Sequence, residues 1–312
     1  IVSYQPGGIS AALPVLGALA LAAQRMLPAM QQLYSNLVSM VGSHASLIDT
    51  LELLDQVLPE EILQTSLMPL KKCIQFKDVR FRYTDDGPWV LSALNLVIPK
   101  GARVGLVGGT GSGKTTTSDL LLGLLTPTEG KVLIDNQHLI GNRVRDWQQT
   151  VAHVPQNIFL SDKTIAENIA FGVPHDVIDY ERVRQVAREA QVADFIENSA
   201  EGYQTFVGEQ GVRLSGGQRQ RIGIARALYK RASVLVFDEA TSAFDNLTEQ
   251  FLMDSIEGLN RDFTILIIAH RLTTVQRCDI ILELENGQIV AQGNYKQLLK
   301  SSASFRRMAT SL

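Results

Sequence analysis

Residues 108–115 read Gly-Gly-Thr-Gly-Ser-Gly-Lys-Thr, and this loop constrains the fold more than any other part of the chain. A largely apolar run, residues 103–107, precedes it, and a helical pattern follows over about residues 115–122. Glycines lack a Cβ atom, so backbone N–H groups can converge there on phosphate oxygens, and the helix N-terminus adds a favourable dipole. The sequence therefore predicts a strand, a phosphate-binding loop and a helix in register.

The residue types of this loop predict how it holds a nucleotide with Mg²⁺. We expect Lys114 to reach the β- and γ-phosphates, Thr115 to supply a hydroxyl to Mg²⁺, and Thr116 to contact the α-phosphate. A plain Gly-rich turn is the alternative, and the flanking strand and helix argue against it. The expected phosphate-binding residues are Gly108, Gly109, Thr110, Gly111, Ser112, Gly113, Lys114, Thr115 and Thr116.

A second apolar run, residues 234–237, ends in two carboxylates, Asp238 and Glu239. Ligands of open α/β sheets bind outside the carboxyl ends of the strands, which is where these side chains emerge. We expect Asp238 to bind Mg²⁺ through water, and Glu239 to orient and deprotonate an attacking water. A solvated turn could also carry such a pair, but the phosphate loop favours the catalytic interpretation.

A third signal is Leu-Ser-Gly-Gly-Gln-Arg-Gln-Arg at residues 214–221. Ser215 is expected to cap a helix, and Gly216 and Gly217 expose backbone donors at its N-terminus, with Gln218 following in the first turn. This is a second phosphate-binding helix end on one chain. Because the first loop already surrounds one nucleotide, the second end makes chemical sense only if it serves another.

Composition and charge exclude several classes of protein. The net charge of −3, from 29 basic and 32 acidic residues, creates no overall field that would attract nucleic acid, so no nucleic-acid partner is expected. A content of 45% hydrophobic and 20% charged residues is ordinary for a packed globular protein and excludes a disordered tail. Cys73 and Cys278 lie far apart without metal-ligand spacing, which argues against a disulfide framework or zinc site.

The N-terminal stretch differs from the rest of the chain. Residues 1–24 carry no charged side chain, which approaches the ~20 apolar residues that a membrane-spanning helix needs. We interpret the stretch as the truncated end of a membrane helix. Pro14 lies within the stretch and Pro28 shortly after it, and neighbouring helices can satisfy the backbone groups that they free. A buried soluble helix or an effect of the fragment end is the alternative. The chain begins with Ile1, as expected of a fragment or a processed product.

Beyond Leu33, apolar residues recur mostly every three, four or seven positions, which is typical of an amphipathic helix leaving an apolar environment. Pro59 and Pro69 then bracket a linker, and a globular domain begins near Lys71. The expected organisation is a C-terminal remnant of a transmembrane domain (1–45), a helical linker (46–70) and a globular domain (71–312).

Short apolar runs alternate with helical patterns in the globular part. Runs such as 233–237 and 264–269 are typical of parallel strands buried on both faces. Asn-Gly at residues 286–287 predicts a tight hairpin turn. The expected strands are 74–83, 103–107, 132–135, 233–237, 264–269, 280–285 and 288–292, and the expected helices are 115–122, 180–199 and 216–229.

These parts, in this order, carry a family resemblance. Leu-Ser-Gly-Gly-Gln at residues 214–218 is the signature of the ABC transporters, and residues 71–312 resemble their nucleotide-binding domain throughout. The resemblance implies an α/β fold, with a phosphate-loop ATPase core, an antiparallel β subdomain and an α-helical subdomain, preceded here by a long N-terminal helix. It implies ATP hydrolysis with Mg²⁺ as the activity.

The resemblance also implies roles for residues outside the three motifs. Tyr83 is expected to stack on adenine, Gln156 to sense Mg²⁺ and water beside the membrane domain, and His270 to contact the γ-phosphate. Residues 242–245 resemble the loop that crosses to the opposite subunit, although the family usually has Leu where Phe244 stands. The expected catalytic residues are thus Glu239, His270 and Gln156, and the expected metal ligands are Thr115, Gln156 and Asp238.

The resemblance further implies a head-to-tail dimer, with each ATP between the phosphate loop of one subunit and residues 215–218 of the other. Residues 208–211 resemble an exporter segment that contacts transmembrane loops, and the whole resembles an exporter half-transporter. The expected partners are a second ABC subunit, as a homodimer, a transmembrane domain and the cell membrane. The ATPase domain is expected on the cytoplasmic face, driving export or flipping of a lipid or lipid-linked oligosaccharide.

A soluble ABC-type ATPase with a role in DNA repair or translation is the alternative. The translation-factor type would need two ATPase cassettes, whereas the sequence has one phosphate loop and one signature. The DNA-repair type would need a long coiled coil between Lys114 and Ser215, for which there is no room. The exporter interpretation is therefore favoured.

Overall fold

A computed structural model describes residues 8–55, 66–238, 263–269 and 272–310 of the 312-residue chain. The chain divides into two compact units, Ile1–Leu63 and Gln64–Leu312. Over the described residues the first unit is one long helix, and the second holds every strand.

Helix α1, Gly8–Leu54, confirms the predicted long N-terminal helix, and Pro14 and Pro28 lie inside it. Its side chains from Leu13 onward are exposed. By length and composition, Leu13–Leu54 is long and apolar enough to cross a membrane. At about 1.5 Å per residue, a helix of this length exceeds the roughly 30 Å apolar core of a bilayer.

The segment predicted as a helical linker, residues 46–70, is divided in the structure. Its first part continues α1, residues 56–65 lie outside the described part of the chain, and residues 66–70 form no helix. In that last part the carbonyl oxygen of Met68 accepts a hydrogen bond from Thr150 Oγ1 at 3.0 Å. The last part of the segment is therefore bonded to the globular unit.

The globular unit is built from two sheets. Its strands are β1 Cys73–Phe81, β2 Leu91–Pro99, β3 Arg103–Val107, β4 Glu129–Ile134, β5 Gln137–His138, β6 Val151–Val154, β7 Val234–Asp238, β8 Thr264–Ile268, β9 Ile280–Glu285 and β10 Gln288–Gly293. One sheet is antiparallel, in the order β2-β1-β4-β5. The other has the order β10-β9-β3-β8-β7-β6, in which only β10 is antiparallel to its neighbour. The predicted α/β class is confirmed.

The parallel strands are apolar on both faces because each face is covered by its own core. Leu235 and Phe237 of β7 face one core, and Val234 and Val236 face the other. Burial of apolar surface contributes about 25 cal/mol per Å², and these strands gain this contribution on both faces. The prediction of doubly buried strands is confirmed.

The predicted hairpin between β9 and β10 is also confirmed. Asn286 and Gly287 have φ angles of 48° and 75°, as a two-residue primed turn requires. A Cβ atom on Gly287 would lie 2.2 Å from the carbonyl oxygen of Val90, so the turn packs directly on the chain that enters β2.

One predicted helix is wrong in its extent. Residues 180–199 form two helices rather than one, because Gln191 adopts a φ of 54°, which ends the first. Among the described residues, the helices of the globular unit are α2 Lys114–Leu121, α3 Asn142–Thr150, α4 Ile165–Ile169, α5 Tyr180–Glu189, α6 Ala193–Glu197, α7 Gly216–Tyr229, α8 Leu272–Val275, α9 Tyr295–Ser301 and α10 Ala303–Thr310. Short 3₁₀ turns lie between some of these helices, at His175–Val177, Gly202–Gln204 and Glu209–Gly211.

Asp135, in the turn after β4, fixes the entry of the chain into β1. Its carboxylate accepts backbone N–H bonds from Lys71 at 2.6 Å, Lys72 at 2.6 Å and Cys73 at 2.9 Å. Burial raises the pKa of this carboxyl, but the three N–H donors outweigh burial, so the pKa is lowered from its ordinary value. The folded state therefore stabilises the charged form of Asp135 relative to its protonated form.

We expect Asp135→Asn to lower the free energy of unfolding at neutral pH, because the amide has no charge and a single acceptor oxygen. A depressed folded pKa contributes stability above the unfolded value of 3.8, and this contribution is lost as the pH falls through the folded pKa. The difference in urea midpoint between wild type and variant, followed by circular dichroism, should therefore shrink below about pH 4. A difference that is the same at both ends of the pH range would contradict this account.

Candidate functional site

The phosphate loop connects β3 to α2, and its backbone has a geometry that only glycine adopts freely. Gly108 has a φ of 151° and Gly113 a φ of 100°. A Cβ atom on Gly108 would lie 2.2 Å from the carbonyl oxygen of Leu284, and one on Gly113 would lie 2.6 Å from Leu91 Cδ2. Both glycines are therefore required by conformation and by space, and the loop stays close against its neighbours.

Lys114 begins α2 and folds its side chain back over the loop. Only 5% of this residue is exposed. Its Nζ donates to the carbonyl oxygens of Gly108 at 2.9 Å and Gly109 at 3.0 Å. The positive charge is thus held at the loop, where it was predicted to meet the β- and γ-phosphates.

Tyr83 lies beside the first turn of α2. Its hydroxyl is 3.3 Å from Thr116 Oγ1, and its ring contacts Phe81 edge-on at a centroid distance of 4.9 Å. Yet 65% of Tyr83 is exposed. The structure therefore brings two of the predicted nucleotide-binding residues, Tyr83 and Thr116, together, and leaves aromatic surface free for a base.

The end of β7 and the middle of α2 carry carboxylates that influence each other. Burial raises the pKa of Asp119, the negative charge of Asp238 raises it further, and His153 acts in the opposite direction. Asp119 was absent from the predicted site. A signal was available, because a spacing of four on a helix places Asp119 on the same face as Thr115.

The donor set at this place fits Mg²⁺. Thr115 is exposed, Asp238 is half-buried, and both offer the oxygen ligands that this ion prefers. Asp119 and Asp238 repel each other, and a divalent cation bound nearby would neutralise their negative charge. Among the described residues there is no group of three or more His, Cys, Asp or Glu placed to hold a metal. The ion would therefore depend on phosphate oxygens as further ligands, as Mg²⁺ commonly does.

Ser215 caps α7, as predicted. Its Oγ accepts from the N–H of Gln218 at 3.3 Å, and Gln218 Oε1 accepts from the N–H of Ser215 at 2.8 Å. Ser215 and Gly216 are both exposed. The N-terminus of this helix, with its partial positive charge, therefore opens to solvent as an anion site would.

Gln156 lies at the same cavity as the start of α7. The cavity measures about 590 Å³, and its walls include Gln156, Glu209, Gly216 and Arg219. The structure therefore places Gln156 beside the segment 208–211, and these are the two elements predicted to face the membrane domain.

The phosphate loop lines a separate cavity of about 650 Å³, between the β9–β10 turn and α10. Ser112 is on its wall, and the hydroxyl of Ser112 is buried with no hydrogen-bond partner among the described residues. The two cavities share no lining residue.

Several predicted site residues lie outside the described part of the chain. They are Glu239, His270 and the segment 242–245 with Phe244. Their expected roles stay predictions.

Comparison with known families agrees with this geometry. Residues 91–242, from the start of β2 past the end of β7, match the family described as ABC transporter. These residues therefore form an ABC transporter domain. The resemblance inferred from residues 214–218 is thus confirmed, and nucleotide binding is what such an ABC ATPase domain implies.

Curated relatives of this ABC chain are about twice its length or longer. The ATP-dependent lipid A-core flippase of Chromohalobacter salexigens is 41% identical over 249 residues, covering 79% of this chain and 43% of the flippase. The leukotoxin translocation ATP-binding protein LktB of Mannheimia glucosida is 44% identical over 237 residues, covering 76% of this chain and 33% of LktB. The chain therefore spans less than half of the relatives that it matches.

A solved structure shares the fold. It is a bacterial Atm1-family ABC exporter with ATP bound, 36% identical, with a TM-score of 0.76. The similarity covers 85% of this chain and 47% of the exporter chain.

We expect Ser215→Ala to lower the free energy of unfolding by about 0.5–2 kcal/mol, the usual effect of losing an N-cap side chain. Asn294→Ala is the matched control, because Asn294 forms the same reciprocal cap with Gln297 at the start of α9. Urea denaturation should give similar losses for both variants. A loss for Asn294→Ala alone would show that Ser215 does not cap α7 in solution.

Proposed function

We propose that this chain binds and hydrolyses ATP at a head-to-tail dimer interface, and that this drives export or flipping of a lipid or lipid-linked oligosaccharide across a membrane. One observation carries the proposal: the domain presents two helix N-termini suited to anions, α2 behind the phosphate loop and α7 behind Ser215. The phosphate loop and the start of α7 line separate cavities, which supports assigning α7 to the nucleotide of a second subunit. Because one chain supplies both halves, a homodimer is sufficient.

In the proposed site, the phosphate loop and Lys114 bind the β- and γ-phosphates, and Tyr83 stacks on the adenine. Residues 215–218 of the second subunit close over the γ-phosphate from the other side. Glu239 takes a proton from the attacking water as its oxygen bonds to the γ-phosphorus and the bond to the β–γ bridging oxygen breaks. Mg²⁺, when bound, neutralises charge on the phosphate oxygens. Donors fixed before the reaction supply most of the acceleration.

The transport part of the proposal rests on α1 and on the relatives. A helix with the composition of Leu13–Leu54 suits a membrane, and the relatives are named as a flippase, a translocation protein and an exporter. We therefore infer that a transmembrane domain is the partner of this domain and that the cell membrane is its location. The ATPase domain then faces the cytoplasm, where ATP is found.

A soluble ABC-type ATPase in DNA repair or translation is not favoured. The relatives and the solved structure carry the names of membrane exporters and flippases. The exposed apolar side chains of α1 are also expensive to keep in water.

We expect Lys114→Ala to weaken ATP binding by about 10- to 100-fold, because it removes charge-assisted hydrogen bonds worth about 1.5–3 kcal/mol. Titration with a fluorescent ATP analogue measures the affinity. Lys72→Ala, at an exposed lysine outside the proposed site, is the matched control and should bind as wild type does. An unchanged affinity of Lys114→Ala for the ATP analogue would contradict the proposed site.

We expect Glu239→Gln to bind ATP and to dimerise with it, but to hydrolyse it about 10²- to 10⁴-fold more slowly, because the amide cannot accept the proton of water. Phosphate release measures turnover, and light scattering on size-exclusion eluates measures dimerisation. Glu201→Gln, at an exposed carboxylate, is the control. Retained steady-state turnover in Glu239→Gln would refute the role of this carboxylate.

A further inference from the structure

A cation–π stack closes the neck of the β1–β2 hairpin, next to the tyrosine proposed to bind adenine. The guanidinium carbon of Arg82 lies 4.9 Å from the centre of the Trp89 ring, and that of Arg80 lies 6.0 Å away. Side chains alternate along an extended chain, so these two arginines point away from the face that carries Phe81 and Tyr83. Trp89 therefore lies on one side of this chain segment, and Tyr83 lies on the opposite side.

The arginines beneath Trp89 are themselves anchored to β4 and the chain that enters it. Arg80 pairs with Glu129 at 3.2 Å, and its carbonyl oxygen accepts from the N–H of Thr128 at 2.9 Å. The N–H of Arg82 donates to Thr128 Oγ1 at 3.2 Å. Arg82 Nε is buried without a hydrogen-bond partner among the described residues, as expected for a guanidinium whose face lies against an indole. The stack thus connects Trp89 to β4 and the chain that enters it.

The hairpin beyond this stack is short and closed. The N–H of Val90 donates to the carbonyl oxygen of Phe81 at 2.8 Å, and the N–H of Gly87 donates to that of Thr84 at 2.9 Å. Arg82 and Trp89 are the residues next to this closing pair, at the base of the remaining loop, and Tyr83 follows Arg82. A fixed Trp89 therefore restricts the conformations open to Tyr83 before any base arrives.

We propose that Trp89 is a positioning residue for the adenine base, acting through Arg82 and the neck of the hairpin. A side chain that is already oriented loses less entropy on binding, so Trp89 strengthens the base-dependent part of ATP affinity. The phosphate-dependent part is set by the loop at residues 108–114 and is independent of the stack. The proposal rests on the proposed function, because it assigns a residue to the same nucleotide site.

The base-dependent and phosphate-dependent parts of the affinity can be distinguished with two ligands. ATP has a base and phosphates, whereas inorganic tripolyphosphate has phosphates alone. Calorimetric titration of the full chain in detergent measures both affinities for wild type, Trp89→Ala, Trp89→Phe and Arg82→Ala. Phe171→Ala is the matched control, since Phe171 stacks with Arg226 at 4.6 Å in another part of the domain, at the end of α4 and in α7.

We expect Trp89→Ala to weaken ATP binding by about three- to tenfold and to leave tripolyphosphate binding unchanged. Trp89→Phe keeps an aromatic face and should recover most of the loss. Arg82→Ala removes the other partner of the stack and should reproduce the loss, with no further loss in the double variant. Phe171→Ala should bind both ligands as wild type does.

Equal weakening of ATP and tripolyphosphate would overturn the proposal, because it would mean general damage to the fold. Unchanged ATP affinity in both Trp89→Ala and Arg82→Ala would overturn it as well, and Arg82→Ala decides the matter if Trp89→Ala does not fold. If the wild-type chain binds neither ligand, both the proposed function and the role of Trp89 are refuted. If wild type binds both, only the role of Trp89 is being tested.

Discussion

The phosphate loop keeps a backbone geometry that its neighbours enforce, and the nucleotide site depends on this constraint. The N–H of Gly287 donates to the carbonyl oxygen of Ser112 at 3.1 Å, and the N–H of Ser92 donates to that of Gly287 at 3.0 Å. The turn between β9 and β10 thus ties the loop to β2 of the antiparallel sheet. Because protein atoms fix the loop, its N–H groups are oriented before a phosphate arrives, and binding need not reorganise them.

A triphosphate would offer Lys114 stronger hydrogen-bond acceptors than the carbonyl oxygens of the loop do. Lys114 is almost fully buried and donates to neutral carbonyl oxygens of the loop. Hydrogen bonds to phosphate are charge-assisted and roughly twice as strong as those to neutral acceptors, so exchanging partners favours binding. Asp119 and Asp238 repel each other nearby, which favours a cation with the phosphate. The proposed binding of a metal–nucleotide complex is consistent with this local arrangement of charges.

The sequence was sufficient where one local rule decides the structure. The apolar run of β7, the cap at Ser215 and the Asn-Gly turn each follow from their own residues. The break at Gln191 could not be predicted, because a glutamine with positive φ results from tertiary packing and interrupts a regular helical pattern. Strand β2 carries a signal, since Leu94, Leu96 and Ile98 alternate with exposed residues, although it is not among the expected strands. Trp89 was missed because its importance comes from side chains that only the folded hairpin brings together.

A dimer built on these helix ends would respond to the γ-phosphate in particular. In the proposed dimer the N-terminus of α7, with about half a positive charge, would meet the nucleotide of the second subunit, whereas α2 and Lys114 of that subunit would hold the same nucleotide from the other side. Loss of the γ-phosphate removes the charge closest to α7 and leaves the base and the remaining phosphates bound. The attraction between subunits therefore falls while the nucleotide stays with its loop. In the proposed dimer, this asymmetry, set by which helix contacts which phosphate, would convert the breaking of one bond into the separation of two domains.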